Sequence, residues 1–385
     1  MTAHSIGMKS AGHLAGLLLA ATPPGAMFLT QSWLLAGGRS EAMLALAKYG
    51  GLLSLVFFVF DGNSGPVPAM LQRRHEEAVV RSAYFVYRAG ILAILALSLP
   101  GLWLLAPQDL AALLPFLAPA LLLRLPFLDA NLDRQGMQHW SMLLQNSWML
   151  PLSLAAVLTG TVGPETAGHA ALLSALFLAA THLRFVAGTH GQTDHAKTRA
   201  ALSEILPLAF AQGLSQLYGR TVLFALGAGF SGPLASLAIY AKQAFNATGV
   251  LVTYLRRLEL ARGARSMRLS LSGQAVIGLI AGLLVTFAAI RLDLLAGGVL
   301  VLLAWQIFEK LSSNALYALQ LGGLHASALS GLLAIIGLGF AGLVTAVSTA
   351  NVLVFVIAET VGYGSVLLLW LWHAQGRRPG LETPP

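Results

Sequence analysis

The sequence predicts an all-α integral membrane protein of about twelve transmembrane helices in two six-helix lobes. Three observations carry that prediction. The 385 residues are 57% hydrophobic and only 10% charged, against about 25% charged in soluble domains. The mean hydropathy is +0.75. Apolar runs of spanning length recur along the whole chain, separated by short polar clusters.

The spans read as 12–36, 42–62, 79–105, 108–128, 140–160, 168–188, 204–229, 233–255, 270–291, 294–316, 325–347 and 350–373. The first needs a decision, because Lys9 and His13 precede LAGLLLAATPPGA, a pattern like a signal peptide. Apolar character resumes through Met27–Leu35, so an uncleaved first helix is expected, kinked at Pro23 and Pro24. An even number of spans puts both termini on one side. Loops after even-numbered spans hold Arg73, Arg74, Arg81, Arg134, Lys197, Arg199, Arg256, Arg257, Arg262, Arg265 and Arg268. The opposite loops hold little beyond Arg39 and Arg291, so both termini are expected in the cytoplasm.

The net charge of +8 fits positive inner loops and does not call for nucleic acid. The basic segment RRLELARGARSMR (256–268) reads as one such loop, in reach of anionic lipid headgroups. With no cysteine there is no disulfide and no thiolate metal site. HExxH, GxSxG, Walker and GxGxxG motifs are absent from the sequence, and no outward loop is long. These features predict a protein that is not an enzyme, with no bound metal or cofactor.

The second half faintly repeats the first. LALAKYGG (44–51) and LAIYAKQA (237–244) place Lys48 and Lys242 early in the second and eighth spans. GMQHWSML (136–143) and GGLHASAL (322–329) share G-x-x-H-x-S-x-L after the fourth and tenth. Six helices per unit make the repeat parallel, with its pseudo-twofold along the membrane normal and the site in a central cleft. The expected organisation is an N-lobe at 1–190, a cytoplasmic linker at 191–203, a C-lobe at 204–375 and a cytoplasmic tail at 376–385.

A charge at mid-membrane costs about 2.5–3.5 kcal/mol on insertion scales, so it faces a cavity or a partner. Lys48, Asp61, Arg88, Arg220, Lys242, Glu309, Lys310 and Glu359 fall there, while Arg124 and Arg184 are expected to snorkel to the inner surface. Gln212, Ser215, Gln216, Gly219 and Arg220 share one face of the seventh span; Lys242, Asn246, Gly249 and Thr253 share one face of the eighth. Arg81, Tyr84 and Arg88 do the same on the third. Arg220 and Lys242 stand equally far from the turn near Ser231, which would put them at one depth. Two readings are open: a cation-lined cavity built by Lys48, Arg88, Arg220 and Lys242 with Gln212, Gln216 and Asn246, or cations each paired to a carboxylate, such as Arg220 to Glu359. Asp61, before Gly62, Gly65, Pro66 and Pro68, marks either a helix stop or a break lining a gate.

On AKYGGLLSLVFFVFDGNSGPVPAMLQRR, DANLDRQGMQHW and ILPLAFAQGLSQLYGRTVLFALGAGFSGPLASLAIYAKQAFNATG, the chain resembles the multidrug/oligosaccharidyl-lipid/polysaccharide (MOP) superfamily. Within it, the chain is most similar to bacterial oligosaccharide-lipid flippases of O-antigen and capsule pathways. The resemblance implies a central cleft opening alternately to each side of the inner membrane. It implies a polyprenyl-pyrophosphate-linked glycan as cargo, and glycosyltransferases and a glycan polymerase as partners. Lys48, Arg88, Arg220 and Lys242 would face the anionic head group. For Asp61, Glu309 and Glu359 two roles are open, coupling to H+ or Na+ and neutralising nearby cations. A drug/cation antiporter of the same superfamily is the first alternative; a membrane polysaccharide polymerase and a non-transporting scaffold are the others.

Overall fold

A computed structural model of the chain describes residues 3–61, 75–105, 107–126, 131–132, 135–185, 194–261, 271–291, 298–321 and 324–376. The protein is all-α. Its described helices are α1 (Ala3–Ala36), α2 (Ser40–Asp61), α3 (Glu77–Leu105), α4 (Pro107–Arg124), α5 (Gln138–Asn146), α6 (Met149–Thr159) and α7 (Pro164–Phe185), followed by α8 (His195–Gly229), α9 (Pro233–Ala261), α10 (Leu271–Arg291), α11 (Gly298–Leu321), α12 (His325–Thr349) and α13 (Val352–Gly376). Five are long and apolar enough to cross a membrane: α2, α3, α7, α12 and α13, with α5–α6 a sixth if counted as one bent span. Their outward faces carry Leu97 (81% exposed), Leu158, Leu183, Val344 and Trp372 (70%), as lipid contact requires. The chain is a multi-pass membrane protein. Its α8, α9 and α11 carry Arg220, Lys242, Glu309 and Lys310 in their interiors, which dilutes their apolar signal.

The chain divides into two compact units: residues 1–228 with 249–264, and 229–248 with 265–385. In the first, α1 packs on α5 and α6, and α4 on α7. The N-terminal turns of α8 pack on α3 through Ala201, Val79, Val80, Ala83 and Tyr84. Outside that apolar patch, Glu204 meets His75 at 3.3 Å and Lys197 meets Glu76 at 3.6 Å. Residues 191–203, read from sequence as a linker, include the start of α8 at His195. Asp194 Oδ1 accepts the Ala196 N–H at 2.8 Å and fixes that start. In the second unit α13 packs along both α11 and α12, and α10 along α11. Gly278 permits the α10–α11 contact, since a Cβ there would lie 3.0 Å from the Ile307 Cα.

The fifth span departs from its sequence reading. It is two helices, α5 and α6, bent by 46°. Pro151 is the cause, because it offers no N–H to the Ser147 carbonyl; Leu150 N takes that carbonyl instead at 3.1 Å. Side chains add donors to carbonyls beside the break. Ser147 Oγ donates to Leu144 O at 2.9 Å and Asn146 Nδ2 to Met142 O at 3.0 Å. Arg124 does not snorkel as expected. It is 0% exposed, donates from Nη2 to Gln145 O at 3.4 Å, and stands 4.3 Å over the Phe57 ring. Broken backbone inside a membrane protein needs donors of this kind. Arg124→Leu is therefore expected to destabilise the protein by about 1–3 kcal/mol. A detergent-phase thermal melt would check this, with Arg124→Lys recovering part of the loss. The expected kink in α1 is not a break: the helix runs continuously through Pro23 and Pro24.

The internal repeat has local structural counterparts. The helices of Lys48 and Lys242 are each entered through a glycine with positive φ, Gly38 (68°) before α2 and Gly232 (88°) before α9. The joints ahead of α5 and α12 close alike, Met137 N to Leu132 O at 2.8 Å and Leu324 N to Leu319 O at 2.9 Å. Structurally Met137 matches Leu324, one residue out of register with the shared G-x-x-H-x-S-x-L pattern.

Candidate functional site

The second unit holds a buried charge cluster built by three helices. Lys242 enters from α9 and is 4% exposed. Glu359, from α13, is 0% exposed and faces the ammonium with both oxygens, Oε1 at 3.2 Å and Oε2 at 3.3 Å. One turn later on the same helix, the Tyr363 hydroxyl lies 3.2 Å from Lys242 Nζ. From α11, Glu309 Oε1 approaches to 3.7 Å. Trp305, one turn before Glu309, donates its indole N–H to Glu359 Oε2 at 2.6 Å. The Lys242 ammonium also stands 5.1 Å from the Trp305 ring centre and 5.9 Å from that of Tyr363. Gln306 anchors α11 to α9 through Nε2 to the Ala241 carbonyl at 2.7 Å.

Helical periodicity explains why these groups converge. Trp305 and Glu309 are four residues apart, as are Glu359 and Tyr363, so each pair shares a face. Glu309 and its neighbour Lys310 diverge around α11, which leaves Glu309 for Lys242. A buried ammonium with a single carboxylate would retain unsatisfied N–H groups. Here two carboxylates, a phenol and two ring faces surround it.

The first unit repeats the chemistry in a more open setting. Lys48 Nζ contacts Asp109 Oδ2 at 2.6 Å, and the Tyr49 hydroxyl donates to Asp109 Oδ1 at 2.8 Å. Lysine, carboxylate and tyrosine thus recur around both repeat lysines. The carboxylate comes from α4 in one unit and from α13 in the other.

Of the other sequence candidates, Arg88 and Arg220 belong to the first unit. Arg88 is 1% exposed on α3, with Tyr84 on the same face and its ring centre 5.9 Å away. Arg220 is half-buried on α8, in the first unit, while Lys242 belongs to the second. Arg220 was the candidate partner of Glu359; the structure gives that carboxylate to Lys242. The side chains of Asp61, Gln212, Gln216 and Asn246 lie outside the described residues. Asp109, Tyr49, Trp305 and Tyr363 escaped the sequence reading. The i, i+4 spacing of Trp305 with Glu309 and of Glu359 with Tyr363 is a signal that could have found two of them.

This all-α membrane bundle, with a charged cluster buried in one of its units, has the fold of solved MATE transporters. The outward-facing structure of a multidrug resistance MATE family transporter of the MOP superfamily aligns with 94% of this chain and 94% of its own, at TM-score 0.54 and 15% identity. The eukaryotic MATE transporter AtDTX14 aligns with 95% of this chain and 96% of its own, at TM-score 0.53 and 15% identity. A MATE transporter in complex with Br-NRF aligns with 94% of this chain and 93% of its own, at TM-score 0.52 and 15% identity. At such identity the likeness is one of fold. No protein-family model matches the sequence, and no curated protein matches it.

Proposed function

We propose that the chain is an alternating-access transporter of the MOP superfamily that flips a polyprenyl-pyrophosphate-linked glycan from the inner to the outer leaflet of a bacterial cytoplasmic membrane. One observation carries the anionic cargo. Among the described residues, the charged side chains that are buried are Arg88, Arg124, Lys242, Lys310 and Glu359, four cations to one carboxylate. Adding the half-buried Lys48, Arg220, Asp109 and Glu309 leaves the excess positive. A cation-rich interior favours phosphate and acidic sugars over organic cations. In this reading the pyrophosphate sits among the interior cations, the sugars in a hydrophilic cleft, and the polyprenyl tail in lipid. The step is a shift between two conformations, with no bond made or broken. Both termini are cytoplasmic, and the partners are the glycosyltransferases and polymerase of a glycan pathway.

Export of organic cations is a second reading, favoured by the Glu309–Glu359–Trp305–Tyr363 cluster. Carboxylates flanked by aromatic rings suit an organic ammonium, and solved proteins of this fold include a multidrug resistance transporter. Reconstitution in liposomes separates the two. Lipid-linked glycan is expected to reach the far leaflet in a time-dependent way, slowed about tenfold or more by Arg88→Ala. A protein that exports organic cations and moves no lipid-linked glycan would replace the flippase reading with the antiporter.

A further inference from the structure

The Lys242 ammonium is held as a free cation would be held. Its oxygen neighbours include Glu359 Oε1 at 3.2 Å, Glu359 Oε2 at 3.3 Å, Tyr363 Oη at 3.2 Å and Glu309 Oε1 at 3.7 Å. All four come from α11 and α13, whereas the ammonium arrives on a flexible stem from α9. A further oxygen, Glu309 Oε2, is buried and has no hydrogen-bond partner. Without the lysine, α11 and α13 would present an oxygen-only cage carrying two carboxylates, with the Trp305 indole N–H holding Glu359 in place. Oxygen ligands select hard cations. The group now held there, an ammonium, is itself a monovalent cation, which points to a monovalent rather than a divalent ion.

We propose that this cage is a monovalent-cation site and that Lys242 fills it as a tethered cation, so the native protein binds no free sodium there. The inference concerns binding and stands whichever cargo the protein moves. The charges facing the cage are Lys242 from α9, Glu309 and its sequence neighbour Lys310 on α11, and Glu359 on α13. Loss of the ammonium leaves a buried carboxylate, Glu359, beside a half-buried one, Glu309, and the pair must recruit a cation or a proton. A free sodium ion, small and oxygen-seeking, fits the vacated cage; choline does not.

The test is a thermal melt of the purified full chain in detergent. Sodium chloride replaces choline chloride at constant ionic strength, for wild type, Lys242→Ala, Lys242→Met and the double variant Lys242→Ala with Glu359→Gln. Wild type is expected to melt at the same temperature in both salts. Each single variant is expected to gain about 3 °C once sodium exceeds its Kd about 100-fold. The double variant should lose that gain, and ethylammonium should reproduce it in Lys242→Ala. Recovery of a folded single variant only in sodium would equally support the site. Sodium-specific stabilisation of wild type, single variants that melt identically in the two salts, or single variants that fold in neither salt would each overturn it.

Discussion

Lys242→Met is expected to destabilise the protein by about 3–5 kcal/mol, the cost of removing one partner from a buried ion pair. The geometry says why this side of the cluster is the costly one. Lys242 is the cation shared by Glu359 and Glu309, at 3.2 and 3.7 Å. Its removal leaves two carboxylates and no ammonium between them. Glu359→Gln should cost less. Lys242 keeps Glu309, and a glutamine oxygen can still accept the Trp305 indole N–H that now reaches Glu359 Oε2. The double variant with both changes should be less destabilised than the two losses summed, because the second change removes the charge that the first one stranded. Thermal melts in detergent at fixed pH and salt give all three values. Additive losses would mean that the Lys242–Glu359 contact carries no coupling energy in the folded protein.

How much of this was legible in the sequence follows from the length scale of each signal. Span-length apolar runs gave the helices, because lipid imposes one requirement on about twenty residues at a time. The two lysines stood out for the same reason, as exceptions to it. Their partners did not stand out. Glu359 lies 117 positions from Lys242 in the chain and Asp109 lies 61 from Lys48, and no local pattern joins residues so far apart. The carboxylates that answer Lys48 and Lys242 were therefore hidden from the sequence, although the buried charges keep a positive excess. Arg124 misled for a related reason. A cation near a helix end snorkels unless something inside needs its donors, and here the carbonyl of Gln145, beside the bend that Pro151 imposes, takes one. Pro151 was visible in the sequence, but one donor at its bend, Arg124, comes from another helix.

A backbone-to-backbone crossing in the first unit should be equally unforgiving. Gly227 on α8 lies against the backbone of α2 at Lys48. A Cβ added there would stand 2.7 Å from the Lys48 nitrogen, 2.9 Å from the Leu44 carbonyl oxygen and 3.1 Å from the Lys48 Cα. One turn along, Gly51 on α2 meets α8 in return, with its added Cβ 2.7 Å from the Phe224 nitrogen. These obstacles are backbone, so no rotamer change relieves them and the helices themselves must separate. Small residues at a membrane helix crossing bring backbones together because packing, not the hydrophobic effect, drives their association in lipid. Gly227→Val is expected to cost about 1–3 kcal/mol or more through overpacking, although valine suits a helix interior better than glycine. It should also move Lys48, whose Nζ is held 2.6 Å from Asp109. That gives a second readout: a cysteine pair engineered at Lys48 and Asp109 should cross-link in an otherwise native background and much less once Gly227 is valine. Gly227→Ala, one methyl smaller than a branch, should fall between glycine and valine in both measurements. Equal melting temperatures and equal cross-linking for glycine and valine would mean that α2 and α8 do not meet at this crossing.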